Sequence, residues 1–443
     1  MAREKQCFVC TACGALAGRW QGQCAQCGEW NRLEEQVVRK SSQHSRTLGT
    51  LIRPVPLNEG LDEGFSAIST GIQGLDEVLG KGLVSGGVTL LGGEPGIGKS
   101  TLLLQLCAEV ASKGNTVVYV SGEESLGQLG GRAARLRAKN PSLMALATMQ
   151  AEHVLPLFEE DAPALVVIDS IQMMSSSELD GLPGSVNQVR AVATMLSERA
   201  KTAGTALILV GHVTKEGQIA GPKLLEHMVD TVLYLEGDRD HLFRLLRVIK
   251  NRFGPSNELL VLQMTQQGLD PVQDPSTFFL QTRNETLSGS AVVMTVDGNR
   301  PFAVEVQALA SRSYLAIPRR TSLGLDSNRL NLLLAVMEKH LKLTLGQMDI
   351  YAKIGGGLQL RDPGLDLGLV GAVLSSIFDR PLPEKAIFWG EVDLNGQIRP
   401  VFAEDIRRRQ AGALGYDPIL CAGSKKQKGC ATLLDFQRKL FGK

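Results

Sequence analysis

The stretch "LLGGEPGIGKST" at residues 90–101 runs from apolar residues into a glycine-rich turn and then into a lysine, a serine and a threonine. A glycine-rich turn between a strand and a helix directs backbone N–H groups inward, which favours an anion at the helix N-terminus. The spacing Gly93-x4-Gly98-Lys99-Ser100 fits the phosphate-loop pattern and predicts a nucleoside triphosphate site. The residues assigned to ATP binding are Gly93, Glu94, Pro95, Gly96, Ile97, Gly98, Lys99, Ser100 and Thr101.

The polar end of this loop predicts how the triphosphate is held. We expect Lys99 to reach the β- and γ-phosphates and Ser100 to ligate Mg²⁺ through its hydroxyl, with Thr101 beside it. The next run, "TLLLQLCAEVASKG", is typical of a helix that ends at Gly114. ATP and Mg²⁺ are therefore the predicted cofactors of this region.

Short apolar runs alternate with helix-like segments on both sides of the loop. The predicted strands are "GVTLLGG", "TVVYVSG", "ALVVIDS", "ALILVGH", "DTVLYLEG", "LFRLLRVIK" and "ELLVLQMT". Continuous apolar strands suit a parallel sheet that is covered on both faces, and the alternation indicates a βαβ architecture.

Polar residues at the ends of three predicted strands are candidates for catalysis. Asp169 follows "ALVVI", where it could hold a Mg²⁺-bound water; without the phosphate loop it would be an ordinary strand end. Glu123, with Glu124 in reserve, could polarise the attacking water, although a solvated acidic turn has the same appearance. His212 ends another strand, either as a γ-phosphate sensor or as a polar cap.

The cysteines form a cluster near the N-terminus, where five of the eight fall within the first 27 residues. Cys10-x2-Cys13 and Cys24-x2-Cys27 have the spacing of a tetrahedral zinc site with four sulfur ligands. The alternatives are disulfides or free thiols, and Cys7 could compete as a ligand. We expect zinc to drive the folding of this ribbon and the ribbon to bind a partner or DNA.

Composition excludes some classes of protein. The 443 residues carry a net charge of +1, so the chain as a whole is not a polycation. No uncharged apolar run approaches the ~18 residues of a membrane span, and "MAREKQCFVC" lacks the apolar region of a signal peptide. We therefore expect a cytosolic protein with reduced thiols and no membrane partner.

The chain divides into segments of different character. A mixed stretch with "RKSSQHSR" follows the cysteines, and after "DPVQDPSTF" the strand pattern restarts with a predicted hairpin at Asp297-Gly298. The predicted organisation is α/β, with a zinc ribbon at 1–33, a linker at 34–66, an ATPase core at 67–270 and a second α/β domain at 271–443.

Together these motifs resemble the RecA-like ATPase superfamily and, within it, the bacterial RadA family, also called Sms. The similar stretches include "RWQGQC", "STGIQGLDEVLGKGLVSGG", "SGEES", "IDSIQ" and "GHVTKEGQIAGPKLLEHMVD", and the most specific is "KNRFG" at 250–254. The resemblance implies a homo-hexameric, ATP-driven motor that acts on single-stranded DNA and recombination intermediates. It also implies a RecA-type recombinase as a partner.

The resemblance also assigns basic residues. Lys250 and Arg252 lie where a strand meets a turn, so they could reach the γ-phosphate of a neighbouring subunit or a DNA phosphate; ordinary surface charge is the alternative. The two DNA-contacting loops of RecA-like proteins would be "MMSSSELDGLPGSVNQVR" and "TKEGQIAGPK". Arg190, Lys215 and Lys223 supply their positive charge.

The C-terminal domain resembles that of the Lon protease in "DPGLDLGLVGAVLSS" and "WGEVDLNGQIRPV". The Lon chemistry needs a serine paired with a lysine, and these positions hold Gly364 and Asp405. Proteolysis is therefore not expected, which argues against an ATP-dependent protease. The basic stretches "RRR" and "KKQK" suit either duplex DNA binding or a solvated surface.

A RecA-like signalling or clock ATPase of the KaiC type is the other hypothesis. The opening "STGIQGLDE" is common to both families and does not discriminate between them. A single RecA-like unit, the cysteine ribbon and "KNRFG" favour the RadA family.

Overall fold

The computed structural model separates the chain into two compact units, Met1–Ser66 and Ala67–Lys443, which are described here one after the other. The described residues are 6–11, 16–17, 19–25, 27–37, 66–159, 162–212, 223–237, 242–256, 258–280, 284, 286–423 and 429–442.

The first unit contains a small antiparallel sheet. Its strands are β1 (Gln6–Cys10), β2 (Leu16–Ala17) and β3 (Leu33–Val37), in the order β2-β1-β3. The buried side chains of this unit include two cysteines, Cys10 and Cys24, so thiols occupy a position that larger domains fill with aliphatic residues.

The second unit begins with an α/β layer. In chain order its elements are β4 (Ala67–Ile68), α1 (Leu75–Leu79), β5 (Leu83–Val84), β6 (Val88–Gly93), α2 (Lys99–Ser112), β7 (Val117–Ser121), α3 (Leu126–Arg135), β8 (Leu143–Ala147), β9 (Leu165–Asp169), α4 (Val186–Ala203), β10 (Ala206–His212), α5 (Lys223–Met228), β11 (Thr231–Glu236), β12 (Phe243–Asn251), β13 (Leu259–Met264), β14 (Leu269–Pro271) and α6 (Pro275–Leu280). Strands β4 and β5 pair with each other in a separate two-stranded sheet.

The central sheet has nine strands in the order β14-β13-β12-β11-β6-β10-β9-β7-β8. The strands from β11 to β8 run parallel. Buried apolar side chains cover both faces of the sheet from β11 to β7, with α2 on one side and α4 on the other. The predicted parallel sheet is therefore confirmed for this part, because strands covered on both faces need apolar residues at every position.

The sheet is not parallel throughout, which corrects the sequence-based expectation. Strands β12, β13 and β14 continue it in antiparallel pairs. Strand β11 ends at Glu236 and β12 begins at Phe243, and so short a connection allows a hairpin but no crossover helix. The edge strand β8 was not predicted, and three of its five side chains are exposed although all five residues are apolar.

The rest of the second unit is built on a six-stranded sheet. Its elements are β15 (Ser290–Asp297), β16 (Arg300–Arg312), β17 (Arg320–Leu323), α7 (Ser327–Leu341), β18 (Met348–Ile354), α8 (Leu365–Phe378), β19 (Ile387–Phe388), β20 (Glu391–Val392), β21 (Ile398–Arg399), α9 (Glu404–Ala413), β22 (Ile419–Leu420) and α10 (Leu433–Phe441). The sheet order is β17-β18-β16-β15-β19-β22, and β20 pairs with β21.

The α/β layer packs directly against this second sheet. Residues of β12 and β13 belong to the same hydrophobic cluster as β15, β16 and α8. The guanidinium of Arg247 in β12 also bonds both carboxylate oxygens of Asp297, at the predicted hairpin between β15 and β16. The division at 270/271 therefore stays a prediction. Among the described residues, no helix is both long enough and apolar enough to cross a membrane.

Candidate nucleotide and metal sites

The phosphate loop joins the carboxyl end of β6 to the N-terminus of α2. Gly98, the residue before the helix, has a φ of 117°, and Gly93 has a φ of 154°. A Cβ atom at Gly93 would lie 2.6 Å from the carbonyl oxygen of Leu235, so a larger residue would displace the neighbouring strand. The glycines thus allow a tight turn at a helix N-terminus, where free N–H groups attract an anion.

Lys99 is folded back into this loop. Its amino group donates to the carbonyl oxygens of Gly93 at 2.8 Å and Glu94 at 3.0 Å, and the residue is only 4% exposed. Burial lowers the pKa of Lys99, while the carboxylates of Asp169 and Glu123 oppose that change. A buried lysine that donates to neutral carbonyls is suited to exchange them for phosphate oxygens.

Asp169 ends β9 beside β7, where its backbone is in register with Ser121. The hydroxyl of Tyr119 donates to the Asp169 carboxylate, and the side chain is 9% exposed. Burial and the adjacent carboxylate of Asp169 raise the pKa of Tyr119, while the nearby hydroxyl of Ser100 acts in the opposite direction. Both predicted magnesium ligands, Ser100 and Asp169, therefore influence Tyr119, and Asp169 does so through a hydrogen bond.

Glu123 lies just beyond β7 and accepts two side-chain hydrogen bonds on Oε1. The donors are the hydroxyl of Ser170 at 3.0 Å and Nε2 of His212 at 3.0 Å. Burial raises the pKa of Glu123, but these hydrogen bonds and the charge of Lys99 outweigh it, so the net shift is downward. The carboxylate is therefore kept ionised next to the phosphate loop.

Glu124, the reserve candidate, has a different environment. Its carboxylate pairs with Arg132 of α3 at 2.5 Å. The structure thus places Glu123 toward Lys99 and ties its neighbour Glu124 to the following helix.

His212 is the last residue of β10 and is in register with Gly93 of β6. Segment 213–222 follows it in the sequence. Its Nδ1 is buried and has no hydrogen-bond partner among the described residues. The carbonyl of His212 lies 3.5 Å from Nε2 of Gln172, which follows β9. Lys99, Glu123, Asp169 and His212 therefore meet at one edge of the sheet, as parallel strand ends do.

Lys250 and Arg252 lie toward the opposite end of the strands. Lys250 is in register with Val232 of β11, which pairs with Leu90, three residues before the loop glycine Gly93. At about 3.3 Å per residue, Lys250 is displaced along the sheet by roughly 10 Å from the start of its own phosphate loop, and Arg252 by more.

These two cations have different surroundings, which the sequence did not indicate. The amino group of Lys250 donates to the carbonyls of Glu226 at 2.8 Å and Val229 at 2.7 Å, at the end of α5. Burial and the charge of Arg252 lower the pKa of Lys250. The side chain of Arg252 is 56% exposed and lies 3.2 Å from the carboxylate of Asp230. Of the pair, Arg252 is the one that a partner can reach.

Polar side chains organise the segment after β9, the first predicted DNA loop. Gln188 of α4 is 2% exposed; it accepts from the backbone N–H of Ser176 and donates to the carbonyl of Leu179. The carboxylate of Glu152 accepts from the hydroxyl of Ser176 at 2.7 Å and the N–H of Ser177 at 2.8 Å. Sequence reasoning missed both residues, since neither belongs to a motif.

The basic residues assigned to DNA binding are only partly described. Arg190 is exposed on α4, close to the organised loop. Lys215 lies outside the described residues, and so does the side chain of Lys223, whose backbone begins α5.

The thiols of Cys10, Cys24 and Cys27 form a metal-sized cluster in the first unit. Their sulfur atoms all lie within 4.8 Å of one another, and those of Cys10 and Cys27 are 3.6 Å apart. Sulfurs bound at 2.3 Å to a tetrahedral zinc are separated by about 3.8 Å, so the cluster fits zinc. Cys13 lies outside the described residues, as does the side chain of Cys7.

A tight turn supports this cluster. The N–H of Gly28 donates to the carbonyl of Cys24 at 2.9 Å, with a φ of 75° at the glycine. The left-handed conformation explains the glycine that follows Cys27.

The two positions that correspond to the Lon dyad hold Gly364 and Asp405. Gly364 precedes α8, and a Cβ atom there would lie 2.9 Å from the guanidinium of Arg407. Arg407 is 1% exposed and bonds the carboxylate of Asp362 at 2.7 and 2.9 Å. Asp405, at the predicted lysine position, is exposed in the first turn of α9. These positions therefore hold neither the serine nor the lysine of the Lon dyad, and the carboxylate beside Gly364 is paired with Arg407.

The fold and the site define a phosphate-loop ATPase with an N-terminal zinc ribbon. Residues 61–218 match the family model described as AAA domain, and residues 8–35 match the one described as Rubredoxin metal binding domain.

Relatives from several bacteria carry the name DNA repair protein RadA. The one from Bacillus subtilis is 43% identical over 425 residues, covering 95% of this chain and 93% of that protein. The one from Pseudomonas aeruginosa is 46% identical over 419 residues, covering 94% and 92%. The one from Escherichia coli is 44% identical over 420 residues, covering 93% and 91%. The chain belongs to the RadA family.

Proposed function

We propose that this chain is a DNA-dependent ATPase motor that acts on single-stranded DNA in homologous recombination and DNA repair, with helicase or branch-migration activity. The observation that carries the proposal is the hydrogen bond between Glu123 and His212. It joins the predicted water-activating carboxylate to the strand that leads into residues 213–222, the second predicted DNA loop.

Nucleotide binding begins at the phosphate loop. Phosphate oxygens take the place of the carbonyls that now accept from Lys99, and the N-terminus of α2 donates backbone N–H groups to them. The lysine charge then stabilises the negative charge that develops on the transferring phosphoryl group.

The magnesium site is part of the proposal. Ser100 and Asp169 are oxygen donors next to each other beside Lys99, which fits a hard divalent cation. When bound, Mg²⁺ neutralises phosphate charge. Tyr119 holds one oxygen of the Asp169 carboxylate by a hydrogen bond.

Glu123 orients and polarises the attacking water in this mechanism. Its lowered pKa keeps it ionised at neutral pH, and the hydroxyl of Ser170 and the ring of His212 fix its position. Ser170 leads toward the first predicted DNA loop, and His212 leads toward the second. Movement of the carboxylate on hydrolysis would therefore act on both loops.

The proposed assembly is a homo-hexameric ring. Arg252 is exposed and lies at the strand end away from its own phosphate loop, so it suits the loop of a neighbouring subunit. A guanidinium can bridge two phosphate oxygens, as an arginine finger does. A head-to-tail contact of this kind closes into a ring when the rotation permits.

We assign partner binding to the zinc ribbon. Trp20 and Trp30 are 57% and 66% exposed there, and exposed tryptophans commonly anchor interfaces. A RecA-type recombinase in the cytosol is the partner that the proposal includes, with no role for a membrane.

The test is ATP turnover by the full chain with and without single-stranded DNA. We expect turnover to rise at least several-fold with DNA and to vanish in Lys99→Ala. Equal turnover with and without DNA would contradict the motor and favour a signalling ATPase. Unchanged turnover in a folded Lys99→Ala protein would contradict the assignment of the site.

A further inference from the structure

Tyr119 is a buried polar residue at the nucleotide site that no motif of the sequence identifies. It lies on β7 in register with Val167 of β9, and the residue is 1% exposed. Its hydroxyl is the one side-chain donor to the Asp169 carboxylate that the described part of the chain provides. The ring packs in the hydrophobic cluster beneath the phosphate loop, so the hydroxyl has a fixed position.

The hydrogen bond uses a single carboxylate oxygen. Tyr119 donates to Oδ2 of Asp169, and within the described residues no side chain donates to Oδ1. Ser100 lies in the first turn of α2, and its hydroxyl is near enough to Tyr119 to act against the rise in the pKa of the phenol. One hydroxyl therefore restrains the carboxylate of Asp169 beside the serine that would share a metal with it.

We infer that Tyr119 is a positioning residue for the divalent-cation subsite, an inference that rests on the proposed magnesium site. By holding Oδ2, the phenol would keep the Asp169 carboxylate from rotating and would leave Oδ1 available as a ligand for a divalent cation. Groups that orient metal-binding carboxylates through hydrogen bonds typically change metal affinity by about 10–100-fold when they are removed.

A purely structural role makes a different prediction. A buried tyrosine needs a partner for its hydroxyl, and Asp169 would then merely satisfy it. In that case, removal of the hydroxyl changes the stability of the fold and leaves metal affinity alone. The positioning role changes metal affinity whether or not stability changes.

The experiment compares the wild-type chain with Tyr119→Phe, which keeps the ring and removes the hydroxyl. ADP binding is measured by calorimetry without metal, and Mn²⁺ binding is measured by electron paramagnetic resonance at saturating ADP. We expect metal-free ADP affinity to stay within about twofold and the Kd for Mn²⁺ to rise by about tenfold.

Tyr234→Phe is the matched control. Tyr234 lies on β11 beside β6, and its hydroxyl donates to Glu226 at 3.0 Å, which is neither of the predicted metal ligands. We expect its Mn²⁺ affinity to equal that of the wild type. An equal loss in both variants would overturn the inference, because it would reflect a general effect of losing a tyrosine hydroxyl near the nucleotide site.

Two further outcomes separate this inference from the proposed function. If Tyr119→Phe binds Mn²⁺ as tightly as the wild type, the positioning role is wrong while the magnesium site stands. If the wild type itself binds no Mn²⁺ with ADP, the proposed magnesium site is wrong and the inference fails with it.

A second variant covers the case in which Tyr119→Phe does not fold. Replacement of Tyr119 by 4-aminophenylalanine keeps the ring and an N–H donor at the same place. We expect Mn²⁺ affinity within about threefold of the wild type. A folded protein of this kind with a tenfold weaker Mn²⁺ site would also contradict the inference.

Discussion

Glu123 and His212 are 89 positions apart in sequence and are joined by a 3.0 Å hydrogen bond at the carboxyl edge of the central sheet. The contact exists because β7 and β10 are both parallel strands of one sheet, whose ends meet at the same edge. The residue that we expect to activate water is therefore bonded to the strand that leads to a predicted DNA loop.

Glu123→Gln should bind ATP with little change and lose about 10²–10⁴-fold in turnover, because the amide cannot polarise the water. Turnover and nucleotide affinity measured on the same preparation separate the two effects. Glu124→Gln is the matched control, since its carboxylate pairs with Arg132, and we expect it to retain most activity. Equal losses in both variants would contradict the assignment.

The pH dependence follows from the direction of the shift. The pKa of Glu123 is lowered by His212, Ser170 and Lys99 against the effect of burial. The carboxylate therefore stays ionised at pH values below the ordinary pKa of a glutamate. We therefore expect no loss of turnover from this group between neutral pH and about pH 5. If turnover of the wild type fell with acid in that interval, while the residual turnover of Glu123→Gln did not, the pKa of Glu123 would be raised and the expectation would be wrong.

The zinc site should contain about one Zn²⁺ per chain by elemental analysis. Cys24→Ala combined with Cys27→Ala should lose it, because these two thiols cluster with Cys10. Cys10→Ser should lose zinc and Cys7→Ser should keep it. The reverse result would replace Cys10 by Cys7 in the ligand set, and a metal-free protein purified under reducing conditions would refute the site.

Arg407→Ala should destabilise the fold by about 3–5 kcal/mol, because it leaves the carboxylate of Asp362 buried without its partner. Denaturant unfolding measures the change, and Arg409→Ala on the same helix should change it little. Because Gly364 lies against a carboxylate that Arg407 already pairs, and the Lon lysine position holds Asp405, Gly364→Ser should not create peptidase activity. Cleavage of casein by Gly364→Ser would contradict that interpretation.

Parts of the site that lie within one continuous motif were predictable from sequence. The phosphate loop is such a motif, and Asp169, Glu123 and His212 were predictable because each follows an apolar parallel strand. The confirmed zinc ribbon likewise follows from the spacing of its cysteines.

Other contacts depend on strand register and helix packing, which a single sequence does not specify. Tyr119 reaches Asp169 only because β7 and β9 are adjacent in the sheet. Lys250 looks equivalent to Arg252 in the motif, yet its amino group is bonded to carbonyls at the end of α5. The buried pair of Arg407 and Asp362 joins residues 45 positions apart.

Gln188→Ala should weaken single-stranded DNA binding by about tenfold, if the loop after β9 contacts DNA. The buried amide holds the backbone of Ser176 and Leu179, and its loss leaves those groups unpaired at a cost of about 1–3 kcal/mol. Fluorescence anisotropy with labelled DNA measures the effect, and Asn187→Ala, an exposed neighbour, is the control. Unchanged DNA affinity in Gln188→Ala would exclude a role for this loop.

Arg252→Ala should keep nucleotide binding and lose most hydrolysis, because it removes a cation that approaches the γ-phosphate from the adjacent subunit. Lys201→Ala is the matched control, since Lys201 also lies beside Asp230, at 3.7 Å, yet is not expected to reach the nucleotide. Turnover is measured at a protein concentration that maintains the assembly.

Mixing Arg252→Ala with Lys99→Ala gives the decisive comparison. In a mixed ring, an intact Lys99 from one variant can face an intact Arg252 from the other, so part of the turnover should return. If the mixture stays inactive although mixed rings form, Arg252 does not act between subunits. Normal DNA-free turnover in Arg252→Ala, together with weaker and less salt-sensitive DNA binding, would instead assign this guanidinium to DNA phosphates, because each lost phosphate contact lowers the salt dependence.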